Sequence, residues 1–541
     1  MCKYVVIVGA VCSSNGKGIA ANSIGLLLKC RGHDVTYIKY DPYLNLSSSI
    51  LAPKEHGETF VLDDGKECDL DLGHAERIMG INVTKKNICT AGHLHSKLIQ
   101  DQEEGKYAGL TCQAVPQLTN LVEERLLEVG KDKDIVIAEI GGTVGDNESF
   151  LFFEAVRRFQ QKHKNDVLIV MVAPILWMNT VKEFKTKPLQ NGVAELRKYG
   201  LQPDILLCRV DRAVPNKILD KISDLTGIKR EHIIDAPDVK TIYQVPIEFY
   251  NRHVDDLIVD LLRLNRSSCR IHKYKDVVEK YVDNNYESVN IGVIAKYDNF
   301  DEAYISVKEA LTHSGVACSA NINIKWIKSE ELEKTKDYKL FEGLHGLIVP
   351  GGFDKRGVEG KLRACTYARE NKIPFLGICL GLQCMAIEFA RNVCGMKDAN
   401  SYEFDKTTKH PVVHFVEGQE GLVKKHETLR LGAYDCELTK DSISAELYGT
   451  KSISERHRHR YEVNFAFIKD FSSNGFYVTG TNPGTGLVEV MELDRKLHPY
   501  YLGTQAHPEF KSRLMSPAPL FRGLVAEAVK YREALNTQSD K

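Results

Sequence analysis

From the amino end to about residue 264, short apolar runs alternate with stretches of helical spacing. The runs fall at residues 5–8, 35–39, 134–140, 167–173 and 205–210, and the helical period is plain in Leu118, Leu121, Val122, Arg125 and Leu126. This alternation predicts parallel strands joined by crossover helices, because a strand that is apolar on both faces needs helices above and below it. The pattern then breaks. Residues 266–288 are rich in Lys, Tyr, Asp and Asn, which reads as a partly helical linker. Apolar runs resume at 289–294, 346–349 and 374–378, so a second α/β domain is expected over residues 289–535, followed by a polar tail at 536–541. The expected fold class is therefore α/β: a doubly wound parallel-sheet domain over residues 1–265, then a second α/β domain.

Composition adds exclusions. The chain has 541 residues with 72 Lys+Arg against 73 Asp+Glu, a net charge of −1, so no whole-molecule attraction to nucleic acid or membrane surfaces is expected. The longest nearly apolar stretch, residues 167–178, contains Pro174 and falls short of the roughly 20 residues that span a bilayer. The apolar start at residues 4–8 runs straight into a glycine-rich turn without a small-residue cleavage pattern, which predicts a buried first strand and no secretory leader. None of the 14 cysteines forms a C-x-x-C pair, so reduced thiols and a cytoplasmic location are expected.

That first strand leads into Gly9-Ala10-Val11-Cys12-Ser13-Ser14-Asn15-Gly16-Lys17-Gly18 and then a helical stretch. A glycine-rich turn between strand and helix offers backbone N–H groups at the positive end of the helix dipole, and its lysine can reach the outer phosphates of a nucleotide. The loop is not a standard G-x-x-x-x-G-K-[ST] motif, since Gly18 stands where a metal-binding hydroxyl is usual. The competing reading is a tight turn with a surface lysine. Metal ligands would then come from elsewhere. Asp69 and Asp71 are expected on one side of an extended segment, and Glu139 near the carboxyl end of its strand, where open α/β sheets bind ligands.

The second constellation is Gly377-Ile378-Cys379-Leu380-Gly381, between an apolar run and a helical one. Flanking glycines suit the sharp turn of a nucleophile elbow, and a helix N-terminus favours the thiolate. His507 with Glu509 two residues on supplies a base and its orienting carboxylate, and Gly351-Gly352-Phe353 supplies backbone N–H groups for an oxyanion. Taken singly, each of these is more often ordinary packing; together they point to acyl transfer.

Residues 350–353, 376–383 and 506–509 resemble a class I glutamine amidotransferase. The amino-terminal half resembles the one family joined to such a domain, CTP synthase, through Gly16-Lys17-Gly18, residues 39–43, 55–58, 63–65 and 69–74, Glu139 to Asp146, Lys185-Thr186-Lys187-Pro188 and residues 211–215. The resemblance runs from about residue 3 to about residue 530. It implies a synthase (amidoligase) domain in which ATP phosphorylates O4 of UTP and ammonia displaces the phosphate to give CTP. It also implies that Cys379, His507 and Glu509 release that ammonia from glutamine, for internal passage to the synthase site.

Carried over by position, ATP falls to Ser14, Asn15, Gly16, Lys17, Gly18, Ile19, Lys39, Asp71, Asp238 and Val239, with Mg²⁺ on Asp71 and Glu139. UTP falls to Ser13, Lys185, Thr186, Lys187, Pro188, Leu189, Gln190 and Lys221. The inhibitor CTP would share Ser13, Lys185, Lys187, Gln190 and Lys221 and turn its base toward Asp146, Asn147 and Glu148. Glutamine falls to Gly352, Leu380, Gly381, Leu382, Gln383, Glu403 and Arg460. The family further implies homotetramers, filaments and activation by GTP. The chain departs from the family pattern at Asn15, Asn147, Leu189, residues 47–52 and residues 425–432, where the glycines of a lid over the glutaminase entrance are missing, which speaks against GTP dependence. Two other readings stay open: an ATP-dependent amidotransferase with another acceptor, and a filament scaffold with vestigial activity.

Overall fold

The computed structural model describes residues 2–46, 57–283, 285–297, 300–335, 338–415 and 429–539. The chain forms two units, residues 1–51 with 71–282 and residues 52–70 with 283–541.

The first unit is built on seven strands: Lys3–Gly9 (β1), Val35–Asp41 (β2), Ile88–Thr90 (β3), Ile135–Ile140 (β4), Val167–Pro174 (β5), Ile205–Val210 (β6) and Ile233–Pro237 (β7). They lie in the order β7-β6-β5-β1-β4-β2-β3, every neighbouring pair parallel. β1 is central and buried from Tyr4 to Gly9, which explains its unbroken apolar run. Helix Lys17–Cys30 (α1) follows it at the carboxyl edge of the sheet, and β4 and β5 flank it, so their carboxyl ends frame the loop after Gly9. In register, Ile7 faces Glu139, and Glu139 faces Lys39 across β2.

Two expectations change here. Asp71 is not on an extended segment; it sits in the first turn of helix Leu70–Met79 (α2), where a carboxylate complements the helix dipole. The 266–288 stretch is partly helical as expected, but up to residue 282 it belongs with the first unit. Cys269, Ile271, Tyr274 and Val278 are buried, the Tyr274 hydroxyl donates to the Tyr243 carbonyl at 3.0 Å, and helix His272–Asp283 (α5) packs into the first unit up to residue 282. Polar residues cover its outer face, which is why composition alone read as a connection.

The second unit holds a nine-stranded sheet: Ser288–Ala295 (β8), Asn321–Lys328 (β9), Gly346–Val349 (β10), Phe375–Ile378 (β11), Arg430–Leu438 (β12), Ser452–His459 (β13), Phe476–Thr481 (β14), Val488–Leu493 (β15) and Tyr501–Thr504 (β16). The order is β9-β8-β10-β11-β16-β15-β14-β12-β13. It is parallel from β9 to β16 and antiparallel from β16 to β13, so only its first part follows the expected βαβ series. Residues 57–70 belong to this unit, through a short hairpin pairing Phe60–Val61 with Glu67–Cys68. No helix among the described residues is long and apolar enough to cross a membrane.

Candidate functional site

The first centre lies at the carboxyl end of β1. Gly16, at φ 86°, caps α1 without a side-chain hydrogen bond, which leaves the first-turn N–H groups open to an anion. Lys17 is buried and donates from Nζ to the Gly142 carbonyl at 2.8 Å. Its stem lies across Gly9, where a Cβ would stand 2.5 Å from Lys17 Cδ, so the strand must end in glycine to let the lysine pass. Burial draws Lys17 below the ordinary lysine range.

Beside it, Lys39 Nζ donates to Asp71 Oδ2 at 2.6 Å and to Glu139 Oε1 at 2.7 Å, with Asp41 Oδ1 3.9 Å away. Tyr37 donates from its hydroxyl to Glu139 Oε2 at 2.6 Å. Burial works against the Lys39 ammonium, but Asp71, Glu139 and Asp41 outweigh it and hold the group well above its usual value. Asp41 is pushed up to about 7, by burial first, with Asp71 and Glu139 adding to it. Sequence reading gave Asp41 no role, although it lies in the quoted 39–43 motif. Its carboxylate is buried at the border of the same cluster. No group of three His, Cys, Asp or Glu among the described residues is arranged to hold a metal ion by itself; Asp71 and Glu139 both meet the Lys39 ammonium, and one or two such carboxylates beside phosphate oxygens are what Mg²⁺ requires. The position of Gly18 explains the departure from the common loop: a Cβ there would be 3.2 Å from Glu139 Oε2, so this acid fills the space a hydroxyl would use.

A cavity of about 270 Å³ opens beside α1, lined by the predicted Gly16, Ile19, Asp238 and Val239 and by the unforeseen Arg209 and Phe249. Arg209 pairs with Asp238. Ser14 stands in the loop at φ 55°, and Asn15 is buried, pinning the loop through Nδ2 to the carbonyls of Ala10 at 3.2 Å and Val172 at 3.0 Å.

Helix Lys187–Lys198 (α4) packs on the loop, since a Cβ on Gly192 would stand 2.5 Å from that of Ala10. Lys185 is exposed and paired with Glu183 at 2.6 Å, and Lys187 and Lys221 are exposed, as is Ser13. Thr186 Oγ1 accepts from Gln190 Nε2 at 2.8 Å without capping the backbone of α4, and Pro188 occupies its first turn. Leu189 is fully buried in the core of the first unit, so its side chain packs and only its backbone is left to a nucleotide. Asp146 Oδ2 accepts from the Thr143 N–H at 2.7 Å, and Asn147 and Glu148 follow it on an exposed turn.

The second centre is formed where β11 turns into helix Leu380–Asn392 (α7). Cys379, at φ 54° and ψ −105°, caps that helix in a backbone conformation that non-glycine residues rarely adopt. A Cβ on Gly377 would meet Met385 Sδ at 2.6 Å and one on Gly381 would meet the Val349 carbonyl oxygen at 2.0 Å, so both elbow glycines answer to packing. Gly381→Ala should lower stability by about 3 kcal/mol, because the obstructing atom is backbone that cannot rotate away. A melting temperature equal to wild type would contradict this.

His507 Nδ1 and Glu509 Oε1 lie 2.7 Å apart. A Cβ on Gly351 would stand 2.8 Å from His507 Cε1 and 3.5 Å from Cys379 Cβ, so Gly351 closes one side of the catalytic group. Burial pulls the imidazole down, but Glu509 and then Cys379 outweigh it and hold His507 at about 10. A cavity of about 100 Å³ opens above Cys379, bounded by Gly352, Phe353, Arg458, His507 and residues 57–59.

Of the glutamine candidates, Leu380 and Leu382 have buried side chains in the core, leaving only their backbone to a ligand, and Gly381 is the packed elbow. Gln383 Nε2 donates to the Tyr461 carbonyl at 2.9 Å, tying α7 to the residue after Arg460. Glu403 is raised by burial, with Lys296 and Arg460 near enough to oppose this. The 456–462 run looks like a solvated basic patch and is the opposite. Arg456 is fully buried and donates from Nε to Asp63 Oδ1 at 2.6 Å, Arg458 donates to Glu67 Oε1 at 2.7 Å, and His457 and His459 are buried. No alternation along β13 reveals this, because Glu455, Arg456 and His457 are buried in succession, and the acid that pairs with Arg456 lies almost 400 positions away in sequence.

Residues 3–264 match the family model described as "CTP synthase N-terminus", and residues 300–526 match "Glutamine amidotransferase class-I". The chain is 44% identical over 536 residues to a CTP synthase of Methanococcus maripaludis, covering 98% of this chain and 100% of that one. It is 44% identical to a CTP synthase of Caldanaerobacter subterraneus subsp. tengcongensis, covering 97% and 98%. Among solved structures, the glutaminase domain of Trypanosoma brucei CTPS with bound acivicin is 36% identical, covering 45% of this chain and 94% of that one, with a TM-score of 0.42.

Proposed function

This chain belongs to the CTP synthase family, and from that premise we propose that its two centres divide one reaction, glutamine hydrolysis at Cys379 and amination of UTP at the Lys17 loop. The protein is a glutamine-hydrolysing ligase that converts UTP to CTP with ATP as co-substrate. The observation that carries the division of labour is that each unit holds one complete set of groups: Cys379, His507 and Glu509 in one, Lys17, Lys39, Asp71 and Glu139 in the other.

At the second centre the Cys379 sulfur attacks the glutamine amide carbon, and the carbonyl electrons move to the oxygen, which the N–H groups at Gly351-Gly352 and Leu380 receive. His507, charged at neutral pH, gives its proton to the leaving nitrogen, so ammonia departs and a thioester remains for water to hydrolyse to glutamate. Glu509 keeps the imidazole oriented and charged. Glu509→Gln should lower glutamine turnover on the order of 10²- to 10⁴-fold and move the imidazole's ionisation down from about 10, since burial is then opposed by Cys379 without the Glu509 charge. A pH profile of glutamate release checks this, and an unshifted profile contradicts it.

At the first centre O4 of UTP attacks the terminal phosphorus of ATP, ADP leaves, ammonia adds at C4 and inorganic phosphate departs. Lys17 and the open N–H groups of α1 hold the phosphates, and the cavity at Ile19, Asp238 and Val239 takes the adenine. Asp71 and Glu139 would hold Mg²⁺, which supplies charge neutralisation for the transfer. Ser13, residues 185–188, Gln190 and Lys221 receive UTP, and Asp146 to Glu148 the base of the inhibitor CTP. Family membership supports homotetramers, filaments, CTP feedback and a cytoplasmic location as further parts of this reading. Of the altered lid at residues 425–432, residues 425–428 lie outside the described residues and Arg430 to Gly432 open β12; its composition speaks against dependence on GTP. The test is CTP formation by purified protein from UTP, ATP and Mg²⁺, with ammonia or glutamine as nitrogen source. No CTP from either source would overturn the reading.

A further inference from the structure

Lys361 lies on helix Val358–Asn371 (α6), fully buried in the second unit. No carboxylate pairs with it among the described residues, and its one hydrogen bond runs from Nζ to the Pro350 carbonyl at 2.7 Å. Burial pulls it down to about 8, against the thiols of Cys384, Cys379 and Cys365 and together with the Lys296 ammonium, so most of it is charged at pH 7. An ammonium buried with a single neutral acceptor is costly, and a methionine of the same length would fill the space without that cost. What it grips explains its presence. The Pro350–Gly351 peptide is planar and trans, so a carbonyl held toward Lys361 turns the Gly351 N–H to the opposite side. Gly351 abuts His507 and Cys379, while Gly352 lies beside the ammonium, a Cβ there being 3.7 Å from Lys361 Nζ. A second buried lysine secures the far end of the same turn: Lys296 Nζ donates to the carbonyls of Phe353 and, at 2.8 Å, Asp354. Among the described residues no protein acceptor meets the N–H groups of Gly351 and Gly352.

We propose that Lys361 is a positioning residue of the glutaminase centre: it holds the Pro350 carbonyl and polarises the Pro350–Gly351 peptide, so that the N–H groups beside Cys379 receive the oxyanion of the tetrahedral intermediate. A cation on the carbonyl side of a peptide strengthens its N–H as a donor, and this happens where negative charge develops during attack. The inference rests on Cys379 being the nucleophile.

The test compares Lys361→Met and Lys361→Gln with wild type in three measurements on the full chain: kcat and KM for glutamine hydrolysis, the rate at which iodoacetamide alkylates Cys379, and melting temperature. Lys361→Met should lower kcat about 10²-fold while KM stays within about twofold and alkylation slows far less than kcat, because the oxyanion donors act in the transition state whereas Lys361 reaches the resting thiol only through its charge. Lys361→Gln keeps a donor without the charge and should recover about tenfold of that loss. A kcat near wild type, a raised KM with kcat unchanged, or a fall in kcat matched by slower alkylation and a lower melting temperature would each overturn the proposal, the last by indicating plain packing. Should Lys361→Met prove insoluble, Lys361→Gln decides alone: about a tenfold fall in kcat with alkylation slowed far less supports the role, and no fall removes it. Glutamine hydrolysis that survives in Cys379→Ala would instead sink the assignment of the nucleophile, whatever Lys361 does.

Discussion

Cys379→Ala is expected to abolish glutamine-driven CTP formation while ammonia-driven formation continues. The loss follows from the chemistry at the elbow. Removing the nucleophile of a triad costs on the order of 10⁶ in turnover, because the remaining members have nothing to activate. The sparing of the ammonia reaction follows from the division of the chain, since Lys17, Lys39, Asp71 and Glu139 all belong to the other unit. Alanine also suits the site sterically, being smaller than the residue it replaces in a strained turn. Measuring CTP with each nitrogen source separates the two halves. Equal loss of both would show that Cys379 supports the synthase centre as well, contrary to the proposed function.

Lys17→Ala should remove both activities, by on the order of 10²- to 10³-fold in each, because amination by either nitrogen source depends on first phosphorylating UTP. Lys17 occupies a slot shaped for it, its stem against Gly9 and its ammonium on the Gly142 carbonyl, so it is fixed before any phosphate arrives. Glutamine hydrolysis measured on its own, as glutamate release without nucleotides, should persist in this variant. If Lys17→Ala made CTP from ammonia at the wild-type rate, phosphate binding would rest on the α1 N–H groups alone.

Much of this was legible in the chain itself. The strand-to-helix turns at Gly9–Gly18 and Gly377–Gly381 were readable because glycines at those spacings answer local needs, a lysine passing over Gly9 and a helix meeting the Val349 carbonyl. His507 and Glu509 were readable because they stand two positions apart, with only Pro508 between them. Other features were not. Asp-Leu-Asp-Leu alternates like a strand and predicts an extended segment at Asp71, whereas the chain forms α2 there. Motif position assigns Leu189 to the UTP site, while the period of α4 turns its side chain into the core. The polar 266–288 stretch concealed the few apolar side chains with which α5 packs.

The sequence by itself determined the two α/β units, the phosphate-type loop with Lys17 and the Cys379 elbow, since each depends on residues within a turn or two of one another. Only the tertiary structure decided which distant groups meet. Lys39 and Glu139 stand 100 positions apart and come together through the parallel register of β2 on β4. Arg456 finds Asp63 across 393 positions, and Lys361 reaches Pro350 because α6 folds back under β10. Such pairings follow from strand order and helix docking, to which the whole chain contributes, so no local pattern of hydrophobic and polar residues encodes them.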